Sequence, residues 1–177
     1  MRKLTVLMVL GFVLMVSSQA LAIPITTSSG PQLFEFVGGT GWIDNPANGY
    51  QLTLTGQARI DLTDRLLIGD QYRLFVNGVN MMTTSTPNVF LNGLQTGATT
   101  FAQAWANPFL SKGSLYLGPG TYQLDIQVIR VASGVNYGSG WIQAVAVPEP
   151  SILLMLGVGI LMFGLFMRRK PSQKTTI

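Results

Sequence analysis

The stretch Thr121–Val128 reads TYQLDIQV. Tyr122, Leu124, Ile126 and Val128 point one way, and Thr121, Gln123, Asp125 and Gln127 point the other. A period of two is the mark of a strand with one buried face. DQYRLFVNG (Asp70–Gly78) repeats the pattern with Tyr72, Leu74 and Val76. QLTLTGQARIDL (Gln51–Leu62) repeats it with Leu52 and Leu54, then Ala58, Ile60 and Leu62. Gly56 between the two halves reads as a bulge in one strand. GSLYLGPG (Gly113–Gly120) and GWIQAVAV (Gly140–Val147) are shorter candidates, and LFEFV (Leu33–Val37) reads as an edge strand.

Turn residues separate these segments: Gly38-Gly39, Asn48-Gly49, Asn77-Gly78, Asn92-Gly93 and Gly118-Pro119-Gly120. Asn-Gly supplies the positive φ angles of tight hairpins. The clearest hairpin turns at Asn77-Gly78. TTSTPN (Thr83–Asn88) should follow it as a loop, because Pro87 cannot donate to a sheet ladder. The best helix candidate is FAQAWANPFL (Phe101–Leu110), limited by Pro108 to two turns at most. Short strands, frequent turns and no regular helices predict an all-β fold, an antiparallel β-sandwich of jelly-roll type.

The ends of the chain have a different character. Residues 1–22 read MRKLTVLMVLGFVLMVSSQALA. Arg2 and Lys3 precede an apolar run, and Ala20-Leu21-Ala22 forms a small-x-small cleavage pattern. This is the form of a secretory signal peptide cut by signal peptidase after Ala22. At the other end, Pro148-Glu149-Pro150 is followed by the apolar run Ile152–Met167 and then by Arg168, Arg169 and Lys170. Sixteen helical residues span about 24 Å. A bilayer core is about 30 Å thick, so the run is at or just below spanning length. The three basic residues should stay cytoplasmic, which places the middle of the chain on the far side of the membrane. Pro and Glu also suit the first turn of any helix. Two prolines around one glutamate, however, make a stiff, extended peptide that an enzyme could read.

The boundaries are therefore 1–22 signal peptide, 23–147 exported domain, 148–170 sorting segment and 171–177 cytoplasmic tail. The formal charge of +4 is misleading. Six of the eleven basic residues lie in the terminal segments. The domain carries five basic against six acidic residues, a net charge of −1. It therefore has no basic footprint for nucleic acid.

The chain has no cysteine and no histidine. Thiolate nucleophiles, Cys or His metal ligands and His general bases are excluded, and the domain must fold by burial alone. Asp61, Asp64 and Asp70 lie close in sequence, but their spacing does not match an EF-hand loop. They read as one outward strand position, one turn and one strand start. No pair of acids stands out as a glycosidase dyad, and no Gly-x-Ser-x-Gly elbow is present. No catalytic residue, metal site or cofactor is expected. Trp42, Trp105, Trp141, Tyr116, Tyr122 and Tyr137 could stack on sugar rings or pack in the core. Trp42 and Trp141 sit beside glycine-rich turns and are the glycan-binding candidates.

VPEPS, a short glycine-containing apolar helix and RRK, in that order, resemble the PEP-CTERM sorting signal of Gram-negative bacteria. The resemblance implies recognition by an exosortase at Pro148, Glu149 and Pro150. It also implies a transient membrane span over residues 152–167, a stop-transfer cluster at Arg168–Lys170, and release of the domain to the cell surface or beyond. The extension PSQKTTI after the basic cluster departs from the usual signal. GDQYRLFVNG and NPFLSKGSLYLGPGTYQLDIQV are similar to exported β-sandwich domains that often carry this tail. The resemblance implies a non-enzymatic surface or matrix protein linked to exopolysaccharide and biofilm. The alternative is a carbohydrate-binding module that uses exposed aromatics, with or without calcium.

Overall fold

The computed structural model describes residues 22–43, 46, 48–148 and 150–168, with backbone only at 150–153 and 164–168. The expected signal peptide up to residue 21, including Ala20, lies outside the described residues, as do Glu149, Arg169, Lys170 and the tail 171–177.

The described domain is all-β. Its strands are β1 (Ile23–Ile25), β2 (Gln32–Val37), β3 (Gly41–Trp42), β4 (Tyr50–Leu54), β5 (Ala58–Asp64), β6 (Gln71–Val76), β7 (Val79–Thr83), β8 (Lys112–Leu117), β9 (Gly120–Arg130) and β10 (Tyr137–Ala146). Two short helical pieces separate β7 from β8: a 3-10 turn at Val89–Leu91 and helix α1 (Phe101–Ala106). Helix α2 (Pro150–Arg168) closes the described chain. The first sheet runs β1-β4-β9-β6-β7, with β3 also paired to β9. The second runs β2-β10-β5-β8. All of these pairings are antiparallel except β1 with β4.

The alternation read in TYQLDIQV is the alternation found. Leu124, Ile126 and Val128 are buried, and Tyr122 packs beside them. They face Leu52, Tyr72 and Leu74 of the same sheet together with Phe34, Phe36, Ile60, Leu62 and Ile142 of the second sheet, all in one core. Asn77 (φ 50°) and Gly78 (φ 79°) form the expected hairpin turn, the left-handed pair that matches strand twist. β7 after that turn is almost wholly exposed and ends its sheet.

Gly56 is a corner, not a bulge. Leu52 and Leu54 belong to β4 of the first sheet, whereas Ala58, Ile60 and Leu62 belong to β5 of the second. Period-two patterning cannot see this change of sheet, because the apolar side faces the same core before and after the corner. Helix α1 stops at Ala106, before Asn107-Pro108, as expected. Its start carries a signal absent from the reading above. The Thr100 hydroxyl accepts from Gln103 N at 3.3 Å, and Gln103 Oε1 accepts from Thr100 N at 3.1 Å, a capping box. Beneath α1, Ala104 packs with Ile68, Ala98, Leu110 and Trp141 in a small second cluster on the outer side of the second sheet.

Candidate functional site

The three aspartates do not converge. Asp61 is on the outer face of β5, as alternation requires, and is fully buried there. Its cross-strand neighbours are Ser114 on β8 and Gln143 on β10. Ser114 Oγ donates to Asp61 Oδ1 at 2.7 Å, and Gln143 Nε2 donates to Oδ2 at 3.1 Å. Arg59 forks onto both oxygens at 2.8 and 2.9 Å. This side chain holds three strands together.

Asp64 and Asp70 form a different group, at one end of the core. Both are 1% exposed; Asp64 ends β5 rather than sitting in the turn expected from sequence, and Asp70 directly precedes β6, at the expected strand start. The Tyr72 hydroxyl lies between them, 3.2 Å from Asp70 Oδ2 and 3.5 Å from Asp64 Oδ1. Asp70 Oδ1 accepts from Ala132 N at 2.7 Å, and Asp64 Oδ1 accepts from Arg65 N at 2.6 Å. Asp64 Oδ2 is buried with no partner. Burial pushes the Asp70 carboxyl up to about 6, against which its hydrogen bonds from Ala132 and Tyr72 pull down. Burial, then the nearby Asp70 charge, hold Asp64 well above the usual carboxylate range. Burial also raises the Tyr72 phenol, and the two carboxylates add to it. A cleft of about 390 Å³ lies over this end, lined by Glu35, Arg65, Asp70, Gln95, Tyr137 and Ser139 among others. Among the described residues no group of three or more His, Cys, Asp or Glu side chains is placed to share a metal ion.

The two tryptophan candidates separate. Trp141 on β10 is half-buried in the cluster beneath α1, with the Arg65 guanidinium 5.5 Å from its ring centre. It reads as packing. Trp42 lies on β3, a two-residue strand that pairs with Gln127 and Val128 of β9. It is 56% exposed, and its ring rests against Phe75 at 4.9 Å. The two rings stand in a cleft of about 340 Å³ that also exposes Asp125. Nothing in the sequence marks Phe75 as a neighbour of Trp42, because β6 meets β3 only through β9. Trp105 stacks on Phe101 at 5.6 Å and lies 5.8 Å from Lys112 Nζ. Lys112 also donates to the carbonyls of Trp105 (2.6 Å) and Asn107 (3.1 Å), so this tryptophan pins α1.

The sorting segment begins where the sheet ends. β10 stops at Ala146 opposite Ala58, and Val147 N still donates to the Gln57 carbonyl at 2.9 Å. Pro148 is exposed. Pro150 opens α2, a position where its missing N–H costs nothing. From Leu154 to Phe163 every described residue is exposed, among them Met155, Ile160, Leu161 and Phe163. Among the described residues no helix is long and apolar enough to cross a membrane. The described side chains of α2 cover ten positions, about 15 Å of helix, or half a bilayer core. The spanning segment expected over 152–167 extends past them on both sides.

Residues 146–170 match the family model of the PEP-CTERM protein-sorting motif. The chain therefore carries that motif, which is the mark of an exported, membrane-transiting protein handled by an exosortase. No curated protein and no solved structure matches the chain.

Proposed function

We propose that the protein is a non-enzymatic cell-surface or extracellular-matrix protein, held briefly at the inner membrane and then cut beside Pro148-Glu149-Pro150. The observation that carries this reading is the sorting motif at residues 146–170, set directly behind the last strand. In this reading signal peptidase removes residues 1–22. Residues 152–167 hold the chain in the bilayer, Arg168–Lys170 stop transfer, and 171–177 stay cytoplasmic. Exposed apolar side chains around the described length of α2 support a lipid environment, since a helix apolar on all sides is stable only when buried. The domain is then periplasmic until released, in the setting of exopolysaccharide and biofilm.

The absence of His and Cys supports a role without catalysis, as does the withdrawal of Asp64 and Asp70 from solvent. The strand orders β2-β10-β5-β8 and β4-β9-β6-β7 support a jelly-roll sandwich, in which two Greek keys close over one core. The exposure of Trp42 beside Phe75 favours a second reading of the same domain, as a carbohydrate-binding module.

Changing Pro148, Glu149 and Pro150 together to alanine tests the sorting step in the native host. The variant should stay with the membrane fraction, whereas the native protein reaches the surface or medium. Equal release of both would reject the motif as the recognition site.

A further inference from the structure

The outer faces of the two sheets are treated differently. That of the second sheet is partly covered by the cluster beneath α1, which packs on Trp141. That of the first sheet carries an open aromatic pair, Trp42 and Phe75, among amide side chains. Trp42 lies opposite Gln127, Gln127 opposite Arg73, and Asp125 opposite Phe75, so these side chains share one side of the sheet. Gln123 lies two residues from Asp125 on the same side.

From this arrangement we infer that the Trp42–Phe75–Asp125 cleft binds an uncharged polysaccharide. The inference deepens the carbohydrate-binding reading above and rests on it. Trp42 and Phe75 offer flat apolar area, which complements the C–H face of a pyranose ring. Such a site needs a few placed polar groups to orient a ligand that is otherwise held by apolar contact. Asp125 is an acceptor at the edge of the cleft. Gln123 and Gln127 each carry both donor and acceptor, the pairing that a sugar hydroxyl requires.

The polar edge is held in place before any ligand arrives. Gln123 Nε2 donates to Asp125 Oδ1 at 3.1 Å and to the Asn48 carbonyl at 2.6 Å. Gly49 packs so closely here that a Cβ would overlap the Leu124 carbonyl and Asp125 Oδ1, and its φ of +63° suits glycine. Polar groups held in place in this way lower the ordering cost of binding. The charge balance selects the class of glycan. Among the described residues that line the cleft, Asp125 is the one charged side chain, and a lone carboxylate gives no attraction to uronate or sulfate chains. Arg73 and Arg130 lie on the same face outside the cleft. The length of this face along β9 suits a chain of sugars rather than a single ring.

The test is affinity electrophoresis of the full chain, before processing, in a sugar-free non-ionic detergent. Gels contain glucomannan or hydroxyethylcellulose as neutral probes, alginate as an acidic probe, or no polysaccharide. The neutral gels should retard the protein. Trp42→Ala should weaken retardation by about tenfold, the scale of losing one aromatic anchor. Trp141→Ala, on the other sheet, should leave retardation unchanged. Because Trp42 is half-exposed, an unchanged melting temperature verifies that its variant is folded. Equal retardation of the Trp42 variant, retardation by alginate alone, or none by any neutral polysaccharide overturns the inference. Since no sorting enzyme takes part, failure here leaves the sorting reading intact, and failure of sorting leaves this result intact.

Discussion

Lowering the pH from 7 to 5 should make the folded domain more stable, by about 1–3 kcal/mol. Most proteins lose stability in that direction, because carboxylates paired in the native state become protonated. Here the sign is reversed. Asp64 and Asp70 are buried beside each other, and the donors that bond to them are neutral: Tyr72 Oη and the backbone amides of Arg65, Asp70 and Ala132. Both folded-state values lie above the ordinary carboxylate value, Asp70 at about 6 and Asp64 well raised. A group raised on folding favours the native state fully below its unfolded value, and that advantage disappears as pH climbs through the folded value. The advantage should therefore build between pH 7 and about 4. Asp64 Oδ2, buried without a donor, has the most to gain from a proton. Urea unfolding at pH 7, 6 and 5 reads the effect as a rising midpoint. Asp70→Asn should flatten the slope over this range. A midpoint that falls steadily from pH 7 to 5 would contradict the arrangement of these groups.

Gly140→Ala should destabilise the domain by about 3 kcal/mol, the upper range for overpacking a core, and lower the melting temperature by about 10 °C or more. Gly140 is buried on β10 between Phe34 of β2 and Asp64 of β5. A Cβ there would overlap Phe34 Cζ and come within 2.7 Å of the Thr63 carbonyl. Phe34 cannot simply step aside. It is fully buried, and its ring stands edge-on to Tyr72 at 5.1 Å. Moving it would disturb the hydroxyl that joins the two aspartates. Gly138 is similar, since a Cβ there would overlap Asp70 Oδ2 and Phe36. Gly118 is the control: nothing lies within 4 Å of its Cβ position, and an alanine there should be nearly neutral. Combining Gly140→Ala with Phe34→Leu should recover part of the loss, because the clash is with the ring. Calorimetry on the four variants checks this order. An unchanged melting temperature for Gly140→Ala would mean that the two strands pack differently.

How far the sequence could be read follows from what each feature depends on. TYQLDIQV and Asn77-Gly78 are local, so their strand and turn were legible residue by residue. The sorting motif is legible for the same reason: its parts follow one another along the chain. Gly56 misled because a corner and a bulge leave the same apolar rhythm on either side. β1 (Ile-Pro-Ile) gave no signal, since three residues show no period and its parallel partner β4 lies 25 or more residues on. Asp61 was legible as an outward position because it alternates with Ile60 and Leu62, but its burial was not. Only the neighbouring strands show that Arg59, Ser114 and Gln143 close over it. The cleft at Trp42 was half legible. The exposed ring could be nominated, but Phe75 and Asp125 reach it by way of β9 pairing with both β3 and β6.

The central claim is that residues 146–170 direct removal of the C-terminal helix. Intact-mass and C-terminal peptide measurement of the surface or extracellular protein from the native host tests it most directly. The predicted mature chain ends near Pro150 and lacks residues 152–177. Recovery of mature surface protein that still ends at Ile177 would contradict it.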